Sequence, residues 1–337
     1  DVEALLGSPG RGSVPPESPL GHLQDLLDRG RFTEAQALLD EGVEADPVGL
    51  ATAQSRLATG LGEVQKARDV LLRVQALAEA RPDTERGRAW RLWLARAEVG
   101  LRRPEAALDL LEELTALPGA LGTEAVVYRG LALFHLAKVE VANECFERAR
   151  EAARQLGASR VEALALLCIG RVHLHTEQNE AARQAFEQAL VAAERASDAS
   201  ALTTAQSQIA VLLRLRGDVA GAIRHFEAAI DAGRRSGRLS SVRLSLANLA
   251  NTDLYLGRLE RAQASIDELE RQREQLGDFG RAQLTGLKAD FLANSGQVSL
   301  AAETYRECAQ AFTELGFGEA AAEARLYAVL LTPLEET

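Results

Sequence analysis

From about residue 19 onward, apolar residues return at the i, i+3, i+4, i+7 spacing, as in Ala222, Phe226 and Ala229 or Leu246, Leu249 and Leu254. That period lays them along one stripe of an α-helix. No stretch alternates with period two in Val, Ile, Thr and aromatic residues, as a half-buried strand would. The pattern predicts an all-α protein. Residues 1–18 stand apart, because Gly7, Pro9, Gly10, Gly12, Pro15 and Pro16 interrupt any regular element and read as a flexible linker.

The helical text repeats itself. Small residues recur at Ala35, Ala67, Ala107, Ala142, Ala182, Ala222, Ala262 and Ala301, at intervals of 32, 40, 35, 40, 40, 40 and 39. Twelve residues before the last six stand Ala95, Gly130, Gly170, Ala210, Ala250 and Ala289. Four residues after them stand Leu111, Phe146, Phe186, Phe226, Ile266 and Tyr305, and three further on Leu114, Ala149, Ala189, Ala229, Leu269 and Cys308. Packing of helix pairs accounts for such columns. A small side chain on a first helix lets a second helix approach, an Ala of the second sits opposite, and the bulky residue is expected to fill the gap between successive hairpins. Gly217, Gly257 and Gly296 fall seven residues after the first mark, where the first helix must stop and turn.

The column of small, small, aromatic and small residues with a turn glycine, seen in Ala210, Gly217, Ala222, Phe226 and Ala229, resembles the tetratricopeptide repeat. The forty-residue period and the segment around 246–262 are similar to the longer-helix subtype of kinesin light chains, cell-polarity adaptors and bacterial signalling regulators. The usual Trp and Tyr of the first helix are mostly missing here. The resemblance implies a right-handed superhelical solenoid of about eight antiparallel helix pairs with a capping helix at its C-terminal end. The chain divides accordingly into a linker over 1–18, a repeat domain over 19–316, and a capping helix and tail over 317–337.

Composition removes several function classes. The formal charge of -11 argues against a general nucleic-acid binder, which needs a Lys/Arg surplus facing phosphates. The three cysteines, Cys145, Cys168 and Cys308, form neither a disulfide framework nor a CxxC metal motif. With no apolar run long enough for a membrane span, a cytoplasmic, membrane-free protein is expected. Met is absent even at position 1, which suggests a piece of a longer chain. Only Lys66, Lys138 and Lys288 are lysines, and none belongs to a phosphate-binding Gly-Lys-Ser/Thr loop. HExxH, the calcium loop and the GxSxG elbow are missing as well. His173 and His175, two apart on a helix, point to nearly opposite sides; one is expected inside and the other out, and no metal between them. No enzyme activity, cofactor or metal is expected.

The resemblance implies instead a groove lined by first helices. Placed by the first small mark, its peptide-binding residues are Trp93, Arg96, Tyr128, Phe134, His135, Arg171, His175, Gln208, Arg214, Asn248, Asn251, Tyr255 and Asp290. In similar repeats, asparagines at the columns of Asn248 and Asn251 grip an extended backbone, since an amide both donates and accepts; packing against polar groups of neighbouring helices would use them equally. Arg96, Arg171 and Arg214 either pair with Glu on adjacent helices or present positive charge to an acidic segment or terminal carboxylate. Of Trp90 and Trp93, at least one is expected in the core. The function expected is a protein-interaction scaffold that binds another protein's peptide or helix, without nucleic acid or membrane. The alternatives are a sensory or regulatory arm of a larger signalling protein and a receptor for a small signalling peptide, which would require a closed, apolar-rich pocket.

Overall fold

The computed structural model describes residues 18–28, 31–61, 63–237 and 239–332. The expected linker over 1–17 and the tail from Pro333 lie outside the described residues. Eighteen α-helices and two short 3₁₀ turns make up the described chain, with no strand among these residues. It divides into two compact units, one holding the residues up to Leu212 together with Asp231–Ser241, the other Leu213–Ile230 and Val242 onward.

In the first unit the helices come in pairs: α1 (Pro19–Asp28) with α2 (Phe32–Glu41), α3 (Pro47–Leu61) with α4 (Val64–Leu72), α6 (Glu85–Gly100) with α7 (Pro104–Leu111), α8 (Gly119–His135) with α9 (Val139–Gln155), and α10 (Ser159–His175) with α11 (Asn179–Ala196). A single-turn α5 (Gln75–Glu79) continues the second pair. Helices α12 (Ala199–Leu215), α13 (Val219–Ser236) and α14 (Leu239–Tyr255) run through the division, and α15 (Leu259–Arg271), α16 (Asp278–Asn294), α17 (Val298–Glu314) and α18 (Gly318–Leu330) belong to the second unit. Eight pairs and one final helix is the order that the repeat columns predict.

The columns are buried as expected. All eight alanines of the second helices, from Ala35 to Ala301, have no exposed surface, and neither do Ala95, Ala210, Ala250 and Ala289 on the first helices. The aromatic column does something different from the expectation. Phe146 and Phe186 do not fill a gap between hairpins but sit on the glycine of their own hairpin. A Cβ added to Gly130 would lie 2.5 Å from Phe146 Cε1, and one on Gly170 would run into the Phe186 ring. The absent Cβ is therefore the seat of the ring. Gly60 plays the same part for Phe32, at 2.5 Å.

The turns follow from backbone sterics. Gly217, Gly257 and Gly296 adopt φ of 84°, 68° and 82°, the left-handed region that only glycine enters freely. The same corner is held in other hairpins by Arg102, Ala137 and Glu177, at φ 59°, 57° and 59°. Helix starts are capped by side chains. Asp46, Thr84 and Asp218 accept from the backbone N–H of Gly49, Gly87 and Gly221 at 2.9, 3.1 and 2.8 Å.

Helix α18 covers the last pair with Ala321, Ala324 and Ala328, against Cys308 and Phe312. Its other side leaves Leu326, Val329 and Leu330 exposed. No helix among the described residues is long and apolar enough to cross a membrane.

Candidate functional site

In the first unit the first helices place Arg56 (α3), Trp93 and Arg96 (α6), Tyr128 and Leu131 (α8), and Cys168 and Arg171 (α10) around one cavity of about 200 Å³, completed by Leu27, Phe32 and residues of α12. Trp90 and Trp93, three residues apart, take separate roles. Trp90 is buried and donates its indole N–H to the carbonyl of Leu71 at 2.9 Å, where α4 ends. Trp93 is half-buried and lines the cavity.

The arginines are held by rings. Arg96 lies 4.5 Å from the Trp93 centroid and 5.6 Å from that of Tyr128, Arg56 lies 5.5 Å from Trp93, and Arg171 lies 5.6 Å from Phe134. Such stacking occupies the guanidinium face and leaves its N–H fork directed outward. Among the described residues neither Arg96 nor Arg171 pairs with a carboxylate, so pairing with adjacent Glu, one of the two readings of the sequence, does not occur for them. Two further cavity residues do pair, Arg160 Nε lying 3.5 Å from Asp198 Oδ2. Asp198 Oδ1 is occupied in turn by the backbone N–H groups of Ser200 and Ala201 at 2.9 and 3.1 Å.

Burial tunes the remaining groups. Tyr128 is fully enclosed, which drives its hydroxyl well above the ordinary phenol range although Arg96 opposes the shift, so it stays a neutral donor. Enclosure pushes the Cys168 thiol up to about 12, making it an inert apolar wall. His135 is held below the usual imidazole range, first by burial and then by Arg102 and Arg171. His175 meets Phe134 edge to face at 5.4 Å. His173 and His175 do not divide into an inner and an outer residue. Both reach the surface, because His173 Nδ1 is engaged by Gln178 Oε1 at 2.9 Å near the helix end. Gln208 is half-buried on α12. Among the described residues no group of three or more His, Cys, Asp or Glu is placed to hold a metal ion.

The other expected residues lie in the second unit. Asn248 is half-buried and Asn251 exposed on α14, next to Tyr255, which is 80% exposed. Neither asparagine side chain bonds to another described residue. Arg214 lies half-buried on α12. Asp290 is not an open groove residue. It accepts a hydrogen bond from the Tyr305 hydroxyl, and Tyr305 stacks on Tyr327 with centroids 5.4 Å apart. Burial raises its carboxyl above the usual range, Glu323 adds to the rise and the Tyr305 bond opposes it.

Residues 20–84 match the tetratricopeptide repeat family. The crystal structure of a Rap protein complexed with competence and sporulation factor is 14% identical with a TM-score of 0.60, over 93% of this chain and 96% of that one. Aspartyl phosphate phosphatase F from Bacillus subtilis is 14% identical with a TM-score of 0.53, over 96% of each chain. The apo form of the quorum sensor NprR from B. thuringiensis is 15% identical with a TM-score of 0.52, over 93% of this chain and 97% of that one. This chain has the tetratricopeptide-repeat fold. No curated protein sequence matches it.

The tetratricopeptide register also explains one residue that the sequence reading missed. Counting twelve back from Ala67 gives Ser55, fully buried like the other first marks, and the next residue is Arg56. Arg56, Arg96 and Arg171 thus occupy one column. The signal was present, but the second repeat matches the consensus too weakly for its first helix to be aligned. Arg160 and Asp198, at the approaches to α10 and α12, belong to no column.

Proposed function

We propose that this chain is a non-enzymatic interaction module whose first unit holds a peptide or helix of acidic character against its first helices. The observation that carries the reading is the pair Arg96 and Arg171, each fixed over an aromatic ring and paired with no carboxylate, in a cavity that also contains Trp93 and Tyr128. Rings of this kind supply area and the guanidinium forks supply direction. All three cysteines are free and buried, which suits the reducing cytoplasm.

A second reading, reception of a signalling peptide within a regulatory protein, is supported by the fold shared with a Rap protein that binds competence and sporulation factor and with a quorum sensor. Both readings put a peptide in the same place. Titration calorimetry with a Glu-rich and a Lys-rich peptide of equal length tests them. The acidic peptide should bind at least tenfold tighter, a difference of about 1.4 kcal/mol. Arg96→Gln together with Arg171→Gln should erase that preference. Equal affinity for both peptides would sink the proposal.

A further inference from the structure

Beside the arginine cavity, the first unit has a larger groove of about 1130 Å³ between α1, the first half of α3 and the start of α6. It exists because α1 spans 10 residues where α8 and α10 span 17, and because the helix after α3 breaks at Leu72 and resumes only as the five-residue α5. The face of α3 that a full-length neighbour would cover is left open. Groove and cavity share two lining residues, Arg56 and Trp93.

Their charges differ. Groove acids Asp25, Asp46 and Glu85 are balanced by Arg56, Arg81 and Arg86, and Arg86 Nη1 lies 3.0 Å from Asp46 Oδ2. The cavity holds four arginines against Glu124 and Asp198, and Asp198 is already engaged by Arg160 and by the α12 backbone. Their sizes differ as well. A space of 200 Å³ equals about seven water volumes, too narrow for a helix of about 10–12 Å diameter but sufficient for a carboxylate and one side chain. The groove exceeds the roughly 300–1,000 Å³ of a small-molecule site, so it suits several residues of extended chain.

We infer that the first unit binds a peptide by its free carboxyl end, with the terminal carboxylate between Arg96 and Arg171 and the preceding residues running past Trp93 into the groove between α1, α3 and α6. This rests on the peptide reading above and adds to it a direction, a terminus and a second surface. The Tyr128 hydroxyl, which bonds to no other described residue, completes the seat as a donor. Arg56 and Trp93 form the passage between the two spaces.

The experiment uses the whole chain, immobilised, and two pools of N-acetylated octapeptides randomised at every position, one ending in a free carboxylate and one amidated. Retained peptides are quantified by mass spectrometry. The free-acid pool should be retained at least tenfold over the amide, and Arg96→Gln or Arg171→Gln, with unchanged thermal melting, should abolish the preference. Thr52→Trp, which fills the groove, should weaken retention of the acid octapeptides while leaving N-acetyl-dileucine acid bound. Equal retention of both pools, a preference that survives both arginine changes, or octapeptide retention indifferent to Thr52→Trp would each overturn the inference. An amide pool retained as well as the acid one and enriched in Asp and Glu places the carboxylate on a side chain, which refutes the end-on seat but leaves the peptide module standing. Retention of neither pool removes both.

Discussion

At the residue scale, neighbours decide what each charged group can do. Arg96 and Arg261 are both arginines on helices, yet one is stacked on two rings and the other lies 2.9 Å from Glu227 Oε1 and 3.4 Å from Asp253 Oδ2. The first has its fork available and the second does not. Asp290 shows the same dependence for a carboxylate. Its folded pKa is raised, chiefly by burial, so the charged form is penalised in the native state. The contribution of this group to stability is then greatest below the unfolded carboxylate pKa of about 3.9 and declines as pH rises through the folded value. Asp290→Asn keeps an acceptor for the Tyr305 hydroxyl and removes the charge. It should stabilise the protein against urea at pH 7, with the gain shrinking steadily towards pH 4; a gain independent of pH would contradict this account.

At the scale of elements, the hairpin is defined by volume and by one backbone corner more than by identity. Gly170 seats the Phe186 ring, so Gly170→Ala should overpack the pair and destabilise by about 1–3 kcal/mol. Phe186→Leu in the same chain should recover part of the loss, which a double-mutant cycle in denaturant measures as a coupling between the two sites. The corner is strained wherever a side chain occupies it. A left-handed non-glycine residue costs about 1–2 kcal/mol, and glycine surrenders about 0.5–1 kcal/mol in chain entropy. Ala137→Gly should therefore raise the denaturation midpoint, by an amount worth less than about 1 kcal/mol, and an unchanged or lowered midpoint would refute the strain. These features explain what could be read in advance. Small marks, fillers and turn glycines are local necessities of packing, so pair order, burial of the alanines and the final helix were visible in the sequence. The site was only partly visible. Trp93, Arg96, Tyr128 and Arg171 fell on columns, but whether Arg96 met Glu or Trp depended on contacts across helices, and Asp290 was withdrawn by Tyr305, a residue whose column only signalled filling. The groove beside α1 was invisible, because it is made by what α1 and α5 lack.

For the molecule as a whole, charge sets the company it keeps. A formal charge of -11 repels polyanions from most of the surface, while the arginine cavity is too small to admit one. The chain should pass through a heparin column unretained at about 0.15 M salt, where interactions reach only about 8 Å; retention there would point to a basic surface strong enough to override the net charge. The division of the chain adds a second point at this scale. Rings, arginines and both cavities are gathered in the first unit, whereas the exposed amides Asn248 and Asn251 belong to the second.

The different fates of the two tryptophans carry a practical consequence. One indole is locked away from solvent with its N–H already satisfied, and the other stands at the passage where a guest would have to slide by. The molecule thus contains its own optical gauge: a silent internal standard and a responsive emitter three residues apart, whose intensity ratio under iodide quenching reports occupancy without any attached dye.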